Sequence, residues 1–271
     1  INDDFKTNIN IGKIGLLFNG DVKLKEILIR DYKKDTLISA TEINTSIISF
    51  RNIINGKLNL GDIDLEDLIF NIKTYKGEDK TNLDVFVARF DDDNPRTESS
   101  FLLSSSDVSI YNGTFRFLDE NKENEKILEF NNLDINATNF LINGSDVSAR
   151  INTLGFVDSR GLVMKNMSTN FNYTLTEMVF DNLEIETKHS TLKGNLRFDY
   201  ERKDFEAFTD KVKVTANFKD SDVALDELNI FYNEFGVNQH AIFSTELTGT
   251  LNDLTATNLK LNTSSRSKIY G

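Results

Sequence analysis

The sequence predicts an all-β protein, an elongated and curled antiparallel sheet carrying two or three short helices. Three observations lead there: apolar and polar residues alternate along most of the chain, the alternation slips by one residue at intervals, and Asn-Gly pairs punctuate it.

Alternation with a period of two, carried by Phe, Ile, Val, Thr and Leu, is the pattern of strands with one buried face. The slip is more specific. Apolar positions fall at i and i+2, skip one extra residue, and resume at i+5 and i+7, as in Ile9, Ile11, Ile14 and Leu16, or Val22, Leu24, Ile27 and Ile29. The same spacing returns at Leu58–Leu65, Leu128–Ile135 and Met178–Ile185, and more loosely at Leu162–Thr169 and Leu254–Leu261. One inserted residue would turn every later side chain to the wrong face unless the backbone bulges there. The residue before each resumption, Lys13, Glu26, Asp62, Asn132, Asn166, Asn182 or Asn258, is therefore the expected corner, and one apolar face continues while the sheet curves.

Asn-Gly pairs at Asn19, Asn55, Asn112 and Asn143 supply hairpin turns, because both residue types tolerate positive φ. Consecutive strands are expected to be antiparallel neighbours. Around Asn112 two readings remain open, a hairpin between Val108-Ser-Ile110 and Phe115-Arg-Phe117 or a corner within a strand. The only proline, Pro95, lies in the polar stretch 91–100, which reads as a loop and as the place where a single segment 1–271 would subdivide. Two stretches change rhythm. Leu83, Phe86, Val87 and Phe90 follow helical spacing, and Leu225, Leu228, Tyr232 and Phe235 nearly repeat it, so each predicts a short amphipathic helix that plugs, or gates, an edge of the apolar face.

Composition narrows the function. Hydrophobic residues are 39% and charged residues 27% of the chain, a balance that suits a thin, wet architecture better than a sphere. A net charge of -12 without a basic stripe argues against nucleic acid. No Cys is present, which removes disulfides, thiol nucleophiles and thiolate metal sites. No apolar run approaches the roughly 20 residues of a membrane-spanning helix. The chain opens at Ile1 without a signal segment, which is expected of a piece of a longer protein.

Catalytic chemistry is sparse. His189 and His240 lie far apart in polar, strand-like contexts, and no phosphate loop, nucleophile elbow or zincin motif occurs. The run Asp91, Asp92 and Asp93 reads as solvated loop rather than a calcium site. Seven Asn-x-Ser/Thr sequons, including Asn112, Asn136 and Asn172, are what so Asn-rich a chain contains by chance. The expectation is a non-enzyme with no cofactor and no metal.

The repeated spacing, the segment Leu58-Asn-Leu60-Gly-Asp-Ile63-Asp-Leu65 and the segment Leu247-Thr-Gly-Thr-Leu251-Asn-Asp-Leu254 running on to Leu261 resemble AsmA-like proteins. Stretches 74–86, 101–110 and 156–166 resemble, more narrowly, the TamB branch as found in flavobacteria. The resemblance covers nearly the whole chain, as an amino-terminal portion of such a protein. It implies a periplasmic sheet folded into an open apolar groove, like a taco shell, in a Gram-negative envelope. The full-length protein would be anchored in the inner membrane by an amino-terminal segment and would meet an outer-membrane barrel of the TamA or BamA type through a carboxy-terminal region, neither included here. It also implies phospholipid as cargo and a link to outer-membrane protein assembly.

Positions expected to line the groove are Leu24, Leu60, Leu65, Phe70, Phe130, Ile135, Phe180, Ile185 and Phe198. The same residues would pack against one another in an ordinary closed β core. An alternative function is a scaffold or chaperone that offers a sheet edge to unfolded outer-membrane strands by β-augmentation. A β-helical polysaccharide enzyme or adhesin fits less well, given irregular insertions and no Trp.

Overall fold

The structure, a computed structural model, describes residues 8–18, 20–47, 57–89, 102–122, 128–230, 236–263 and 268–271. Among these residues the chain is nearly all strand, with a few short helices. Two compact units form: Ile1–Ser145 with Phe156–Ser159, and Asp146–Gly155 with Arg160–Gly271. The expected loop 91–100, Pro95 with it, lies outside the described residues.

In the first unit the strands are β1 (Asn8–Leu16), β2 (Val22–Arg30), β3 (Thr36–Ile47), β4 (Lys57–Glu66), β5 (Ile69–Thr74), β6 (Leu102–Asp119) and β7 (Leu128–Asn143). Their order is β1-β2-β3-β4-β6-β7, and β5 prolongs the line of β4 between β3 and β6. Neighbours are antiparallel except that β4 and β5 both run parallel to β6. This corrects the expectation that all consecutive strands are antiparallel. A parallel pair needs a return path, and the connection from β5 to β6 includes helix α1 (Asn82–Val87), begun by a Thr81–Asp84 capping box.

The second unit contains β8 (Asp146–Asp158) as far as Gly155, then β9 (Val163–Tyr173), β10 (Glu177–Thr187), β11 (Thr191–Asp199), β12 (Lys213–Ala224), β13 (His240–Thr250), β14 (Asp253–Thr263) and β15 (Lys268–Tyr270). These follow one another in the sheet in chain order, and every pairing from β9 to β15 is antiparallel. A 3-10 turn at Arg202–Ala207 runs into α2 (Phe208–Lys211), which the alternation did not announce, and α3 (Leu225–Leu228) begins where the second helix was expected. Of the residues that suggested these helices, Phe90, Tyr232 and Phe235 lie outside the described ones.

Corners occur largely where the spacing places them. Glu26, Asn132, Asn182 and Asn258 have φ of 57°, 50°, 51° and 51°, in the left-handed region. Lys13, Asp62 and Asn166 keep ordinary φ, although pairing registers shift beside Asp62 and Asn166. Asn112 is also a corner, with φ 55°, inside the long strand β6 rather than at a hairpin. A turn does follow Asn143, at Gly144 and Ser145, whereas Asn19 and Asn55 fall outside the described residues. Asp67, Asn139 and Asp220 are further left-handed corners that the spacing did not single out.

Several corners are held from the neighbouring strand. Asn112 N–H donates to the Asp134 carboxylate at 2.9 Å and Asn112 Nδ2 to Asp67 at 2.8 Å, while Thr41 donates to Asp67 at 3.1 Å. Asn182 N–H donates to Asn195 Oδ1 at 2.8 Å. The leucine after the corner sits opposite glycine in two cases, Leu133 against Gly113 and Leu183 against Gly194. At Gly194, with φ +157°, an added Cβ would lie 2.0 Å from the Asn217 carbonyl oxygen. Gly194→Ala is therefore expected to cost about 1–3 kcal/mol in urea unfolding. Asn182→Val should cost about 1–2 kcal/mol through left-handed strain, whereas Asn182→Gly should be nearly neutral.

Candidate functional site: an apolar sheet face

Register converts the spacing into ladders of apolar side chains across strands. In the first unit one ladder runs Ile14, Leu24, Ile43, Leu65, Ile110, Ile135, each directly opposite the next. A second runs Ile9, Ile29, Ile38, Phe70, Phe115, Phe130. Between the two lies a corner, so the inserted residues keep both ladders on one face. The second ends in an aromatic series: Phe70 meets Phe115 edge-on at 5.8 Å, Phe115 stacks on Phe130 at 5.7 Å, and Phe130 on Phe156 at 4.1 Å.

The second unit repeats the arrangement. Phe171, Phe180, Leu196, Ala216, Leu247 and Ala256 oppose one another in turn across β9 to β14. Beside them Met178, Phe198 and Val214 form a parallel row, and Phe208 of α2 closes on Phe198 at 5.8 Å.

Every residue expected to line an apolar face is half-buried. Leu24, Leu65 and Ile135 share the first ladder, Phe70 and Phe130 the second, and Leu60 lies across from Ser105 on β6 beyond the bulge at Gly61 and Asp62. Phe180, Ile185 and Phe198 lie on the second unit's face, where Ile185 opposes Met167 and Leu192. Register therefore gathers the candidates into one set per unit. Among the described residues the strands of either unit lie in one sheet, and no strand outside that sheet lies over its apolar face. Among the phenylalanines whose side chains are described, only Phe218 is buried. Among the described residues the fully buried apolar side chains include Leu183 at 2%, Leu37 at 0% and Val212 at 0% exposure, and Val214 and Ala216 of the second unit's rows are buried as well.

Opposite faces are polar and charged. In the first unit Glu42 bridges Lys23 and Lys25, the latter at 3.1 Å, and accepts from Asn44 at 2.9 Å. The bond from Lys23, then those from Asn44 and Lys25, hold its carboxyl down at about 2. Asp64 is raised by burial, with Asp107 and Asp62 adding like charge. In the second unit Arg197 pairs with Glu177 and Asp199, each at 2.7 Å.

Two features were invisible in the sequence. At one end of the first unit, the buried Asp31 accepts from Tyr75 Oη at 2.7 Å and from Asn82 Nδ2 at 3.1 Å, tying α1 to the β2–β3 turn. Two ammonium groups lie over the Tyr75 ring, Lys33 at 4.3 Å and Lys73 at 4.5 Å, and burial, with Asp31 and Asp35, raises its phenol. In the second unit buried Glu227 on α3 accepts from Thr187, Ser190 and the His189 N–H, the last at 3.0 Å. Both helices are thus fastened to a hairpin turn through a buried carboxylate. Nothing local could announce these contacts, since the partners are remote in sequence.

The two histidines have separate partners, His189 N–H on Glu227 and His240 Nδ1 2.7 Å from Asp222. Among the described residues no group of three or more His, Cys, Asp or Glu could hold a metal ion. Compared with known proteins, the chain matches no family model and no curated sequence. What the arrangement offers chemically is surface: apolar area, incompletely covered, backed by a charged face.

The Glu42 cluster makes a testable electrostatic contribution. Its carboxyl is lowered from 4.5 to about 2 on folding, so the gain is present above pH 4.5 and is lost as pH falls toward 2. Acid unfolding followed by circular dichroism should show a shallower pH dependence over that window in Glu42→Gln than in the parent.

Proposed function

We propose that this chain is a segment of a periplasmic bridge protein, of the TamB branch of the AsmA-like family, whose apolar sheet face shields phospholipid acyl chains in transit between inner and outer membranes. The observation that carries the reading is the half-buried ladder Phe70, Phe115, Phe130 with Phe156. Aromatic side chains lend large apolar area, and a self-filled core would bury them fully.

The energetics favour a cargo with long hydrocarbon chains. Bare acyl chains in water cost about 0.8 kcal/mol per CH₂, on the order of 20 kcal/mol for a two-chain phospholipid. An apolar strip several strands wide removes much of that penalty. The ladders described above contain no charged side chain, so nothing on them selects a headgroup, which would stay in water. Shielding of this kind requires neither catalysis nor a cofactor. In the envelope the segment would work between an inner-membrane anchor and an outer-membrane barrel of the TamA or BamA type, the link to outer-membrane protein assembly.

Native mass spectrometry with lipid extraction tests the reading on the purified chain. Phospholipid should co-purify, and Leu60→Asp and Phe130→Asp should each lose most of it while keeping the parent's far-ultraviolet dichroism. Lipid-free protein, or retention unchanged in both variants, would remove the conduit reading and leave the scaffold for unfolded outer-membrane strands as the better one.

A further inference from the structure

The polar face of the first unit carries three carboxylates at the seam where β4 runs parallel to β6. Asp62 and Asp107 are paired in register across that seam, and Asp64 lies two residues further along β4, between Ser109 of β6 and Asn44 of β3. Like charges placed directly opposite are destabilising. Donors meet two of the three carboxylates. Asn136 Nδ2 donates to both oxygens of Asp107 at 3.0 and 3.1 Å and Ser109 to the same group at 3.2 Å, while Ser106 donates to Asp62 at 3.0 Å. Half-buried Asp64 has no hydrogen bond and no ion pair among the described residues.

Its register partner lacks the complementary group. Asn44 Nδ2 donates to Glu42 at 2.9 Å, which fixes which way round the amide stands, and Asn44 Oδ1 is closed to water without a donor. An acceptor buried in this way bears its full desolvation cost. On the other side Asn44 faces Lys23, whose ammonium, with that of Lys25, is taken by Glu42. The remaining charged groups on this face around Asp64 are all acidic: Glu42 on β3, Asp62 and Glu66 on β4, Asp107 on β6 and Asp134 on β7. Burial raises the Asp64 carboxyl, and Asp107 and then Asp62 add like charge. A carboxyl without a donor, directly opposite an oxygen without a donor, is short of one hydrogen.

We propose that Asp64 is a proton-binding site, and that the bound proton is donated to Asn44 Oδ1 as a bridge from β4 to β3. One proton then supplies the donor that Asn44 lacks and removes one of three negative charges from the parallel seam. The seam is firmest when the site is filled and loosens as the proton leaves, one residue from where the first apolar ladder crosses it at Leu65 and Ile110. The sign is opposite to that of Glu42. A carboxyl raised on folding contributes stability below its ordinary 3.8 and loses it as pH rises through the folded value. The site uses no residue of the apolar rows and stands whether or not a lipid is carried.

Carboxyl-carbon NMR on the isotope-labelled chain reads the site directly. The Asp64 signal, identified by its absence in Asp64→Asn, should titrate above 3.8, and Asn44→Ala should bring its midpoint down. In urea unfolding near neutral pH, Asp64→Asn, whose amide can donate to Asn44 Oδ1, should have an unfolding equilibrium constant about fivefold below that of Asp64→Ala. Its advantage over the parent should shrink as pH falls toward 3.8. If an Asp64 variant fails to fold, the aspartate signal that moves in Asn44→Ala identifies the site in its place. A midpoint at or below 3.8, no aspartate signal moved by Asn44→Ala, or equal stability of Asp64→Asn and Asp64→Ala would each overturn the proposal. So would a midpoint moved down by millimolar calcium, the mark of a cation in place of a proton.

Discussion

Parity governs this protein. A strand presents alternate residues to alternate faces, so a sheet that stays apolar on one side while bending must absorb every inserted residue without changing sides. The left-handed corners at Glu26, Asn132, Asn182 and Asn258 do that, each at a conformational cost that Asn tolerates better than most residues. Adjacent strands then share the burden. The Asp134 carboxylate holds the Asn112 backbone, Asn195 holds that of Asn182, Gly113 leaves room for Leu133, and Gly194 for the Asn217 backbone. Without these partners the ladders would break into patches pointing to opposite sides.

Much of this was legible because parity leaves a local trace. A two-three-two spacing shows where the extra residue lies, and a polar residue before the resumption shows where it can be accommodated. Asp67, Asn139 and Asp220 escaped notice because spacing marks an insertion without telling which residue beside it takes the left-handed conformation. The parallel run of β4 and β5 beside β6 was invisible for a deeper reason. Alternation has no direction, so a strand pattern reads identically whichever way its neighbour runs. Asn112-Gly113 carried the residues of a hairpin turn and became a corner instead, since eighteen residues of β6 continue through it.

The candidate surface was legible for the same reason as the fold. Leu24, Leu65 and Ile135 were chosen from separate copies of the spacing, and register brought them onto one ladder. What sequence could not supply was the degree of cover, which depends on whether another layer packs over the face. Nor could it show the carboxylates of Asp31 and Glu227, whose hydrogen bonds join segments distant along the chain. Those two networks make the short helices part of the hairpins that they touch. A helix of four or six residues has little stability of its own, and the buried charge-assisted bonds replace what length would otherwise provide.

One corner device occurs twice in nearly the same form. The hydroxyl of buried Thr169 donates to the Asp181 carbonyl just ahead of the corner Asn182, and that of Thr245 donates to the Thr257 carbonyl just ahead of Asn258. A hairpin that carries its own corner and its own hydroxyl brace is a self-sufficient tile. Tiles of this kind can be added or removed in pairs without reversing chain direction or inverting the apolar side, so the width of such a sheet is free to vary while its cross-section is conserved. Lengthening by a single strand would reverse the chain direction, and the parallel junction in the first unit is made by a return of the chain past α1.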